Sequence, residues 1–349
     1  MRNKSIVAVF VAICLLLLGS GWCLAEEIKL QSGETIRVYT PKANEAEVKA
    51  FWTKERLFQA LQNPMTKEIL TEDLKLTLDV ATSALDEPKL APGYCPDCPE
   101  NQSNYGDLFN PPSESAVSNE APCPASDYSW AYDYENTRYP ERVNGRLFFT
   151  TDEGFLAVCS ASLINRRQLL TAGHCVSNGN GAWFSNFYFI PGFKDGEQPF
   201  GQGYLDRIFV FINYFETGIW SHDFAMAILT TDMGESLGYL GFAAGWDPAD
   251  LNWLQFGYPA QEPFDGNWLV TVLSALGYRV SGIGDPYPCA VGSIFTQGAS
   301  GGPWMILIDD NLYANGVNSA KPVSCGETTI SPYFGADAWD MYEYVRDRQ

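Results

Sequence analysis

From about residue 136 onward, short apolar runs alternate with turn residues. The runs include GRLFFTT, RIFVFINYF, NWLQFGYP, NWLVTVLSALGYRV and PWMILI, and Gly, Pro, Asn and Asp separate them. Short aromatic and aliphatic runs that are bounded in this way predict β-strands. The stretch PWMILIDDNLYANGV predicts a hairpin that turns at Asp309, Asp310 and Asn311. The pattern therefore predicts an all-β region, built as a sandwich or as a pair of barrels.

Helical spacing of apolar residues occurs near both ends of the chain. The stretch ANEAEVKAFWTKERLFQALQ predicts an amphipathic helix, because four of its apolar residues fall on one stripe. These residues are Val48, Phe51, Phe58 and Leu61. The last stretch, ADAWDMYEYVRDRQ, predicts a C-terminal helix with Trp339, Tyr342 and Val345 along one side.

The first 25 residues have the layout of a secretory signal peptide. Arg2 and Lys4 precede an apolar run from Ile6 to Leu18, and smaller residues lead to a cleavage position after Ala25. The run is shorter than the roughly 20 residues that a spanning helix needs. We therefore expect secretion to the extracellular space or the periplasm, with no stable membrane association.

Composition divides the remainder of the chain into two regions. Residues 86–135 are rich in Pro, Ser, Asn and Gly and have little periodicity, as linkers do. We therefore expect a signal peptide over residues 1–25, a pro-region with a Cys- and Pro-containing linker over residues 26–135, and a β domain over residues 136–349.

The charge of the chain narrows its possible partners. It carries 22 basic and 42 acidic residues, a formal net charge of −20. Nucleic-acid binding depends on Lys and Arg that neutralise phosphates, so we expect no nucleic-acid partner. Hydrophobic residues make up 46% of the chain, which is enough for a substantial core.

The cysteines predict disulfides in an oxidising compartment. Cys95 and Cys98 have the spacing of half a zinc site, but only Cys123 is near them in sequence and no histidine is in reach. A four-ligand structural zinc site therefore cannot be completed locally, and we expect no metal site.

His174 lies in TAGHC and is one of only two histidines in the chain. An imidazole acting as general base needs a nucleophile and a carboxylate that holds its ring. Ser300 in TQGASGGPW is a candidate nucleophile, although this motif also fits a simple Gly-rich turn. Asp223 in SHDFAMAIL is a candidate carboxylate, although an Asp before a strand is often a turn or a cap residue.

Taken together, the blocks CSASLINRRQLLTAGHC, HDFAMAIL and GASGGPW resemble the signatures of the chymotrypsin-like (trypsin-type) serine proteases, in that family's order. The phrases YPERVNGRLFFT, LQFGYPAQEPFDG and NGVNS are similar to the secreted glutamyl-endopeptidase-like branch of bacteria and fungi. FWTKERLFQA is similar to a pro-segment motif of that branch. The resemblance covers residues 136–349 and, more loosely, the pro-region.

The resemblance implies an all-β fold of two six-stranded antiparallel β-barrels with a C-terminal helix, preceded by a partly helical pro-region. It implies a secreted, monomeric serine endopeptidase, made as a precursor, that cleaves polypeptide substrates through an acyl-enzyme intermediate. Ser300 would attack the carbonyl, His174 would carry the proton, and Asp223 would orient His174. The N–H groups of Gly298 and Ser300 would form the oxyanion hole.

The resemblance also implies two disulfides, Cys159–Cys175 at the histidine loop and Cys289–Cys325 beside the specificity pocket. It implies a set of substrate-binding positions around that pocket. These are Ile294, Gln297, Asn318, Ser319, Ala320 and Lys321.

The chain departs from the family pattern at two places. Ala299 stands where trypsin-type enzymes carry an aspartate that pairs with a newly freed N-terminus and shapes the oxyanion hole. Activation would then depend on removal of an occluding pro-segment, with a junction near Arg138 or Arg142. Asn318 stands where glutamyl-specific members have a histidine, and Ile294 where trypsin-like enzymes need an acid. We therefore expect preference for a small or apolar residue before the cleaved bond.

Two other interpretations and one cofactor question remain open from the sequence. The chain could be an inactive protease-fold binding protein, although it retains all three triad residues. It could also be an adhesion protein that acts through its N-terminal region. No cofactor motif is evident; a structural calcium ion at Asp309 and Asp310 is possible, although a turn explains this pair.

Overall fold

The computed structural model describes residues 26–65, 67–69, 75–77, 86–98, 109, 136–323 and 327–349. The predicted signal peptide and most of the predicted linker lie outside these residues. The first strands are β1 (Glu26–Lys29), β2 (Thr35–Tyr39), β3 (Lys67–Ile69), β4 (Lys75–Thr77) and β5 (Lys89–Ala91). The next are β6 (Asn144–Thr150), β7 (Leu156–Leu163), β8 (Gln168–Thr171), β9 (Ser185–Pro191), β10 (Gly203–Phe211) and β11 (Ala225–Leu229). The last are β12 (Gly241–Ala244), β13 (Asn252–Gly257), β14 (Val270–Ser281), β15 (Cys289–Gly292), β16 (Pro303–Ile308), β17 (Asn311–Val317), β18 (Ala320–Pro322) and β19 (Thr328–Ser331).

The helices are short except for the last one. They are α1 (Glu45–Phe51), α2 (Lys54–Leu61), α3 (Ile212–Thr217), α4 (Gly234–Leu237) and α5 (Ala336–Arg346). Single 3-10 turns lie at Glu141–Val143, Gly173–Cys175, Trp220–His222 and Pro248–Asp250. Within the described residues, none of the helices has both the length and the apolar character that a membrane crossing requires.

The first sheet contains a closed barrel. Its strand order is β1-β2-β10-β11-β8-β7-β6-β9, and a further pairing of β10 with β9 closes six strands into a ring. β1 and β2 form a hairpin that adds to the outside of this ring, where Val38 pairs with Phe209 of β10. The predicted pro-region therefore adds strands to the outside of the barrel as well as helices.

The second sheet has eleven described strands in the order β3-β18-β19-β15-β14-β13-β16-β17-β12-β5, with β4 paired to β14. Three of these strands (β3, β4 and β5) also come from the predicted pro-region. A large core cluster contains residues of both sheets and of α5, so the two halves share one interior. The predicted all-β double-barrel fold with a C-terminal helix is confirmed.

Two predictions from local sequence patterns are confirmed, the hairpin at Asp309 and Asp310 and the C-terminal helix. Asp309 and Asp310 have φ values of 48° and 59°, which lets them join β16 to β17 in a tight hairpin. Trp339, Tyr342 and Val345 are buried on α5, as their spacing predicted.

The predicted N-terminal helix is interrupted. It is two helices rather than one, because Trp52 turns into the core and its Nε1 donates to the Asn186 carbonyl oxygen at 2.6 Å. Thr53 then caps α2 by accepting from the Arg56 N–H at 3.3 Å. The predicted single stripe is wrong at Phe58, whose side chain is 66% exposed. Val48 and Leu61 are buried.

The structure forms two disulfides among the described cysteines, Cys159–Cys175 and Cys95–Cys98. The predicted Cys289–Cys325 pairing is not formed, because Cys289 is a free thiol. Its side chain packs in a buried core cluster with Trp253, Trp304 and Tyr333. Cys325 lies outside the described residues.

The burial of Cys289 predicts its chemical behaviour. Loss of solvation raises the pKa of this thiol to about 11, so almost no reactive thiolate forms near neutral pH. Iodoacetamide at pH 7.5 should leave Cys289 unmodified in the folded chain and alkylate it in concentrated urea without reductant, as read by peptide mass mapping. A Cys289–Cys325 bridge would require reductant before any alkylation in urea, and that outcome would contradict the free thiol.

Candidate active site

His174 and Asp223 are brought together by two paired strands. β8 ends just before the 3-10 turn that carries His174, and Asp223 precedes β11, whose Ala225 pairs with Thr171 of β8. The Asp223 carboxylate accepts twice from His174: Oδ1 from the main-chain N–H and Oδ2 from ring Nδ1, both at 2.8 Å. Both side chains are fully buried. The carboxylate thus fixes both the position of the residue and the rotation of its ring.

The other contacts of Asp223 come from both halves of the molecule. Ser319, in the second half, donates its hydroxyl to Asp223 Oδ2 at 2.6 Å. Tyr214 is also close: its burial, and then the charge of Asp223, raise the pKa of its phenol well above the ordinary value. Gly173 allows this packing, because a Cβ there would lie 2.7 Å from the Tyr214 ring. The carboxylate is therefore held as an acceptor in a water-poor setting.

Ser300 lies in a tight turn that leads into β16. Gly298 and Gly301 on either side have φ values of 93° and 81°, which glycine adopts without strain. A Cβ at Gly301 would lie 2.2 Å from Thr171 Oγ1 and 2.3 Å from the Ser160 carbonyl oxygen. The turn is thus packed directly against the barrel that carries His174, and the Ser160 N–H donates to the Ser300 carbonyl at 2.7 Å.

A residue of the predicted pro-region, Met65, occupies the site. The Met65 carbonyl oxygen accepts from the Gly298 N–H at 2.8 Å and from the Ser300 hydroxyl at 3.1 Å. Among the described residues, Nε2 of His174 is buried without a hydrogen-bond partner. The Ser300 hydroxyl therefore donates to Met65 instead of to the ring nitrogen that would take its proton.

The segment around Met65 crosses the site with a defined direction. On the His174 side, the Met65 N–H donates to the Val158 carbonyl at 3.0 Å, and Pro64 bridges Val158 in parallel. On the other side, β3 pairs with β18, also in parallel, so that Lys67 is opposite Ala320. Residues before Met65 thus lie near His174, and residues after it lie along β18.

A cavity of about 760 Å³ lies on the His174 side of this segment. Its walls include Pro64, Met65, His174, Phe184 and Gln297. Gln297, predicted to bind substrate, therefore borders the cleft beside the occupying segment.

A much smaller pocket of about 10 Å³ lies beside Ser300, on the other side. Its walls include Phe295, Thr296, Ser319, Ala320 and Lys321. Lys321 Nζ donates to the Phe295 carbonyl at 2.5 Å and so ties two walls together. Burial lowers the pKa of Lys321, and the charges of Glu327 and Glu68 oppose that shift.

Two predicted pocket residues have other surroundings. Ile294 packs against the apolar cluster that contains Phe264 and Phe295, and Phe295 and Thr296 line the pocket in its place. Ile294, six residues before Ser300, is therefore not among the residues that line the pocket. Asn318 borders the pocket but uses its amide internally: Oδ1 accepts from Trp304 Nε1 at 2.8 Å, and Nδ2 donates to the carbonyls of Phe256 and Ala299.

Behind the Gly298 turn lies a buried guanidinium that the sequence analysis did not single out. Arg146 is fully buried, and its Nη1 donates to the carbonyls of Tyr258 at 2.9 Å and Gly298 at 3.0 Å. Ser160 Oγ also donates to the Gly298 carbonyl at 3.0 Å. The Ala260 N–H donates to the Gln297 carbonyl at 2.7 Å. Both peptide groups that flank Gly298 are therefore fixed.

The comparisons with known proteins agree with this geometry. A family model described as trypsin matches residues 135–339, more than half of the chain. The chain belongs to the trypsin family. Its resemblance to the chymotrypsin-like serine proteases, inferred from three sequence blocks, is thereby confirmed.

Solved structures that resemble this trypsin-family chain include two proteases, each 29% identical to it in sequence. Protease Anisep from Arthrobacter nicotinovorans has a TM-score of 0.51 and covers 59% of this chain and 96% of its own. The thermostable serine protease AL20, from an extremophilic microorganism, has a TM-score of 0.52 and covers 58% and 96%. A Glu endopeptidase is 18% identical with a TM-score of 0.52, over 64% and 99%, which shows a shared fold alone.

A curated relative carries a different description. The extracellular metalloprotease of Bacillus subtilis (strain 168) is 26% identical over 159 residues, or 44% of this chain and 50% of its own length. The chain thus spans about half the length of this relative. Two groups of described residues have metal-ligand spacing, Cys159–His174–Cys175 and Cys95–Asp97–Cys98. In both groups the cysteines are joined to each other, so neither group offers a thiolate.

Ser319 provides a test of the carboxylate's setting. Ser319→Ala removes one donor to Asp223, and a hydrogen bond to a charged group contributes about 1.5–3 kcal/mol. We expect kcat/KM for peptide hydrolysis, per fluorophosphonate-titrated site, to fall at least about tenfold while the fold is retained.

Ser331→Ala is the matched control for this experiment. Ser331 is a buried serine on β19 whose hydroxyl accepts from the Val317 N–H and donates to the Pro332 carbonyl, both at 2.9 Å. Within the described residues it forms no hydrogen bond with a triad residue. The Ser331→Ala variant should have lower thermal stability and an unchanged kcat/KM per active site. Equal activity of the two variants would show that the Ser319 hydroxyl is irrelevant to the reaction.

Proposed function

We propose that the protein is a secreted serine endopeptidase that hydrolyses peptide bonds through Ser300, His174 and Asp223. The observation that carries the proposal is a carbonyl oxygen, that of Met65, held by the Gly298 N–H and the Ser300 hydroxyl beside a His174 ring that Asp223 orients. A scissile carbonyl needs the same Gly298 N–H as a donor and the same Ser300 hydroxyl beside it as the nucleophile.

The reaction follows from the positions of these groups. Ser300 Oγ attacks the substrate carbonyl carbon, and His174 Nε2 takes the hydroxyl proton and passes it to the leaving amine. Asp223 accepts from Nδ1–H and stabilises the imidazolium that forms. The N–H groups of Gly298 and Ser300 stabilise the oxyanion. Such general-base action contributes about 10²–10⁴-fold, and one oxyanion donor about 10²–10³-fold.

The enzyme would be made as a precursor whose pro-region, residues 26 to about 135, must be removed. The contacts of Met65 support this, because they occupy both the nucleophile and an oxyanion donor. The junction would lie near Arg138, which is exposed. Arg142 is a poor cleavage point, because it is buried and its Nε donates to the Leu237 carbonyl at 2.6 Å.

The direction of the segment supports inhibition rather than cleavage. His174 must protonate the leaving nitrogen, so a productive substrate places the residues after its scissile bond on the His174 side. The pro-segment does the opposite: its residues after Met65 follow β18. The residues released by a cleavage after Met65 would therefore lie on the β18 side, away from His174, and the bound segment would resist hydrolysis.

The remaining expectations also stand as proposals. Residues 1–25 would direct secretion, and the processed enzyme would act as a monomer without a cofactor. Asp309 and Asp310 form a hairpin turn, which accounts for them without calcium. The narrow pocket lined by Phe295 and Ala320 supports preference for a small or apolar residue before the cleaved bond.

A fluorophosphonate probe tests the activity and the precursor together. The processed enzyme should label at Ser300 within minutes, the full chain at least about tenfold more slowly, and Ser300→Ala not at all. Labelling would be read by peptide mass mapping. If the processed chain of wild-type sequence does not label, the protein is an inactive protease-fold scaffold.

Met65 tests the occlusion. Met65→Pro removes the N–H that donates to the Val158 carbonyl, together with the Met side chain and the freedom of φ. One such hydrogen bond contributes about 1 kcal/mol. We expect the full chain with this change to label roughly fivefold faster. Met65→Leu keeps the N–H and a similar volume, so its precursor should label like wild type.

The fate of the Met65–Thr66 bond tests the direction of the segment. In the folded full chain this bond should stay intact during incubation with the processed enzyme, while sites near Arg138 are cut. Rapid self-cleavage after Met65 in the precursor would contradict the reversed orientation. Equal labelling rates for Met65→Pro and Met65→Leu would contradict the occlusion itself.

A further inference from the structure

Trypsin-type enzymes shape the oxyanion hole with an aspartate before the nucleophile, and this chain has Ala299 at that position. Ala299 is 2% exposed and packs in an apolar cluster with Val270 and Phe295. A carboxylate in such surroundings would be costly without a partner. The orientation of the Gly298 N–H must therefore depend on other groups.

The structure provides those groups on the opposite side of the turn. The Gly298 carbonyl accepts from Arg146 Nη1 and Ser160 Oγ, both at 3.0 Å. The preceding peptide is held through the Gln297 carbonyl by the Ala260 N–H at 2.7 Å. With both flanking peptides fixed, Gly298 keeps its φ of 93° and directs its N–H at the Met65 oxygen.

Among the described residues Arg146 forms no ion pair, although the charge of Asp265 favours its charged form. It is fully buried on β6, and within the described residues its hydrogen bonds go to the main-chain carbonyls of Tyr258 and Gly298. Its guanidinium lies 5.4 Å from the Tyr258 ring centre. A buried cation without a paired carboxylate is expensive in free energy, and charge-assisted bonds to carbonyls recover part of that cost.

Arg146 also connects the two halves of the molecule. β6 belongs to the first barrel, whereas Tyr258 and Gly298 belong to loops of the second sheet. Ser160 repeats the connection, since it accepts from the Tyr258 N–H at 3.0 Å while it donates to Gly298. One arginine and one serine of the first barrel thus hold the two loops together.

We propose that Arg146, assisted by Ser160, is the positioning residue that keeps the Gly298 N–H directed into the oxyanion hole, in the place of an aspartate–N-terminus ion pair. The inference rests on the proposed serine endopeptidase function. Its consequence is that the hole is already formed in the precursor. Activation then requires only removal of the occupying segment, and the new N-terminus has no part in shaping the hole.

The test separates kcat from KM in the processed enzyme, with active sites counted by fluorophosphonate titration and a fluorogenic peptide chosen from a cleavage library. Arg146→Met should lower kcat per titrated site between about tenfold and a hundredfold, somewhat less than loss of an oxyanion donor, and leave KM within about twofold. Arg146→Lys, which keeps one charged donor, should recover most of that loss. Ser160→Ala should lower kcat about fivefold.

Arg142→Met is the matched control. Arg142 is also a buried arginine that donates to a main-chain carbonyl, that of Leu237, away from the Gly298 turn. Its ion-pair partner Asp97 lies in the predicted pro-region and is absent from the processed enzyme. This variant should lose thermal stability and keep the wild-type kcat per titrated site.

The outcomes are distinguishable. If Arg146→Met and Ser160→Ala both keep kcat within about twofold of wild type, Arg146 is structural and the proposal is wrong. If Arg146→Met does not fold, Arg146→Lys and Ser160→Ala decide on the same criterion. A processed wild-type enzyme that cannot be titrated at all would refute the proposed function instead. A kcat that changes when the mature N-terminus is shifted by a few residues would also overturn the proposal.

Discussion

The buried carboxylate of Asp223 is the interaction on which the site depends. It accepts from the main chain and the ring of His174 and from the hydroxyl of Ser319. The first two bonds lie within one barrel, and the third comes from the other half of the molecule. A desolvated carboxylate is costly unless its oxygens are satisfied, so these donors are needed for folding as much as for chemistry. The arrangement of the two halves is thereby coupled to the orientation of one imidazole.

Much of the fold and the centre of the site could be predicted from the sequence, because short, local sequence patterns indicate them. Alternating apolar runs indicated strands, paired aspartates indicated the hairpin, and TAGHC and GASGGPW identified His174 and Ser300. The contacts that were missed are non-local. Met65 reaches Ser300 across 235 positions, and Arg146 reaches Gly298 across 152. An isolated Met or an Arg within a strand run has no sequence pattern that reports such a contact.

The errors have physical causes of the same kind. The predicted helical stripe through Phe58 is interrupted because Trp52 turns into the core, where its Nε1 donates to the Asn186 carbonyl, and because Thr53 caps a second helix. The pairing of Cys289 was inferred from a family pattern, but this thiol lies inside a cluster of aromatic rings. Ile294 was predicted to line the pocket from its distance along the sequence from Ser300, but Phe295 and Thr296 line it, because sequence distance alone does not report how the chain turns. Tertiary packing decided each case.

The hairpin of β1 and β2 covers part of one edge of β10, and proposed removal of the pro-region would expose that edge. β2 pairs with the second half of β10, from Ile208 to Phe211, while β9 pairs with its beginning. Departure of the pro-region would strip a row of amides and carbonyls of their partners and leave an open template for a foreign strand. An intact precursor would therefore keep this strand edge covered and limit its pairing with neighbouring molecules.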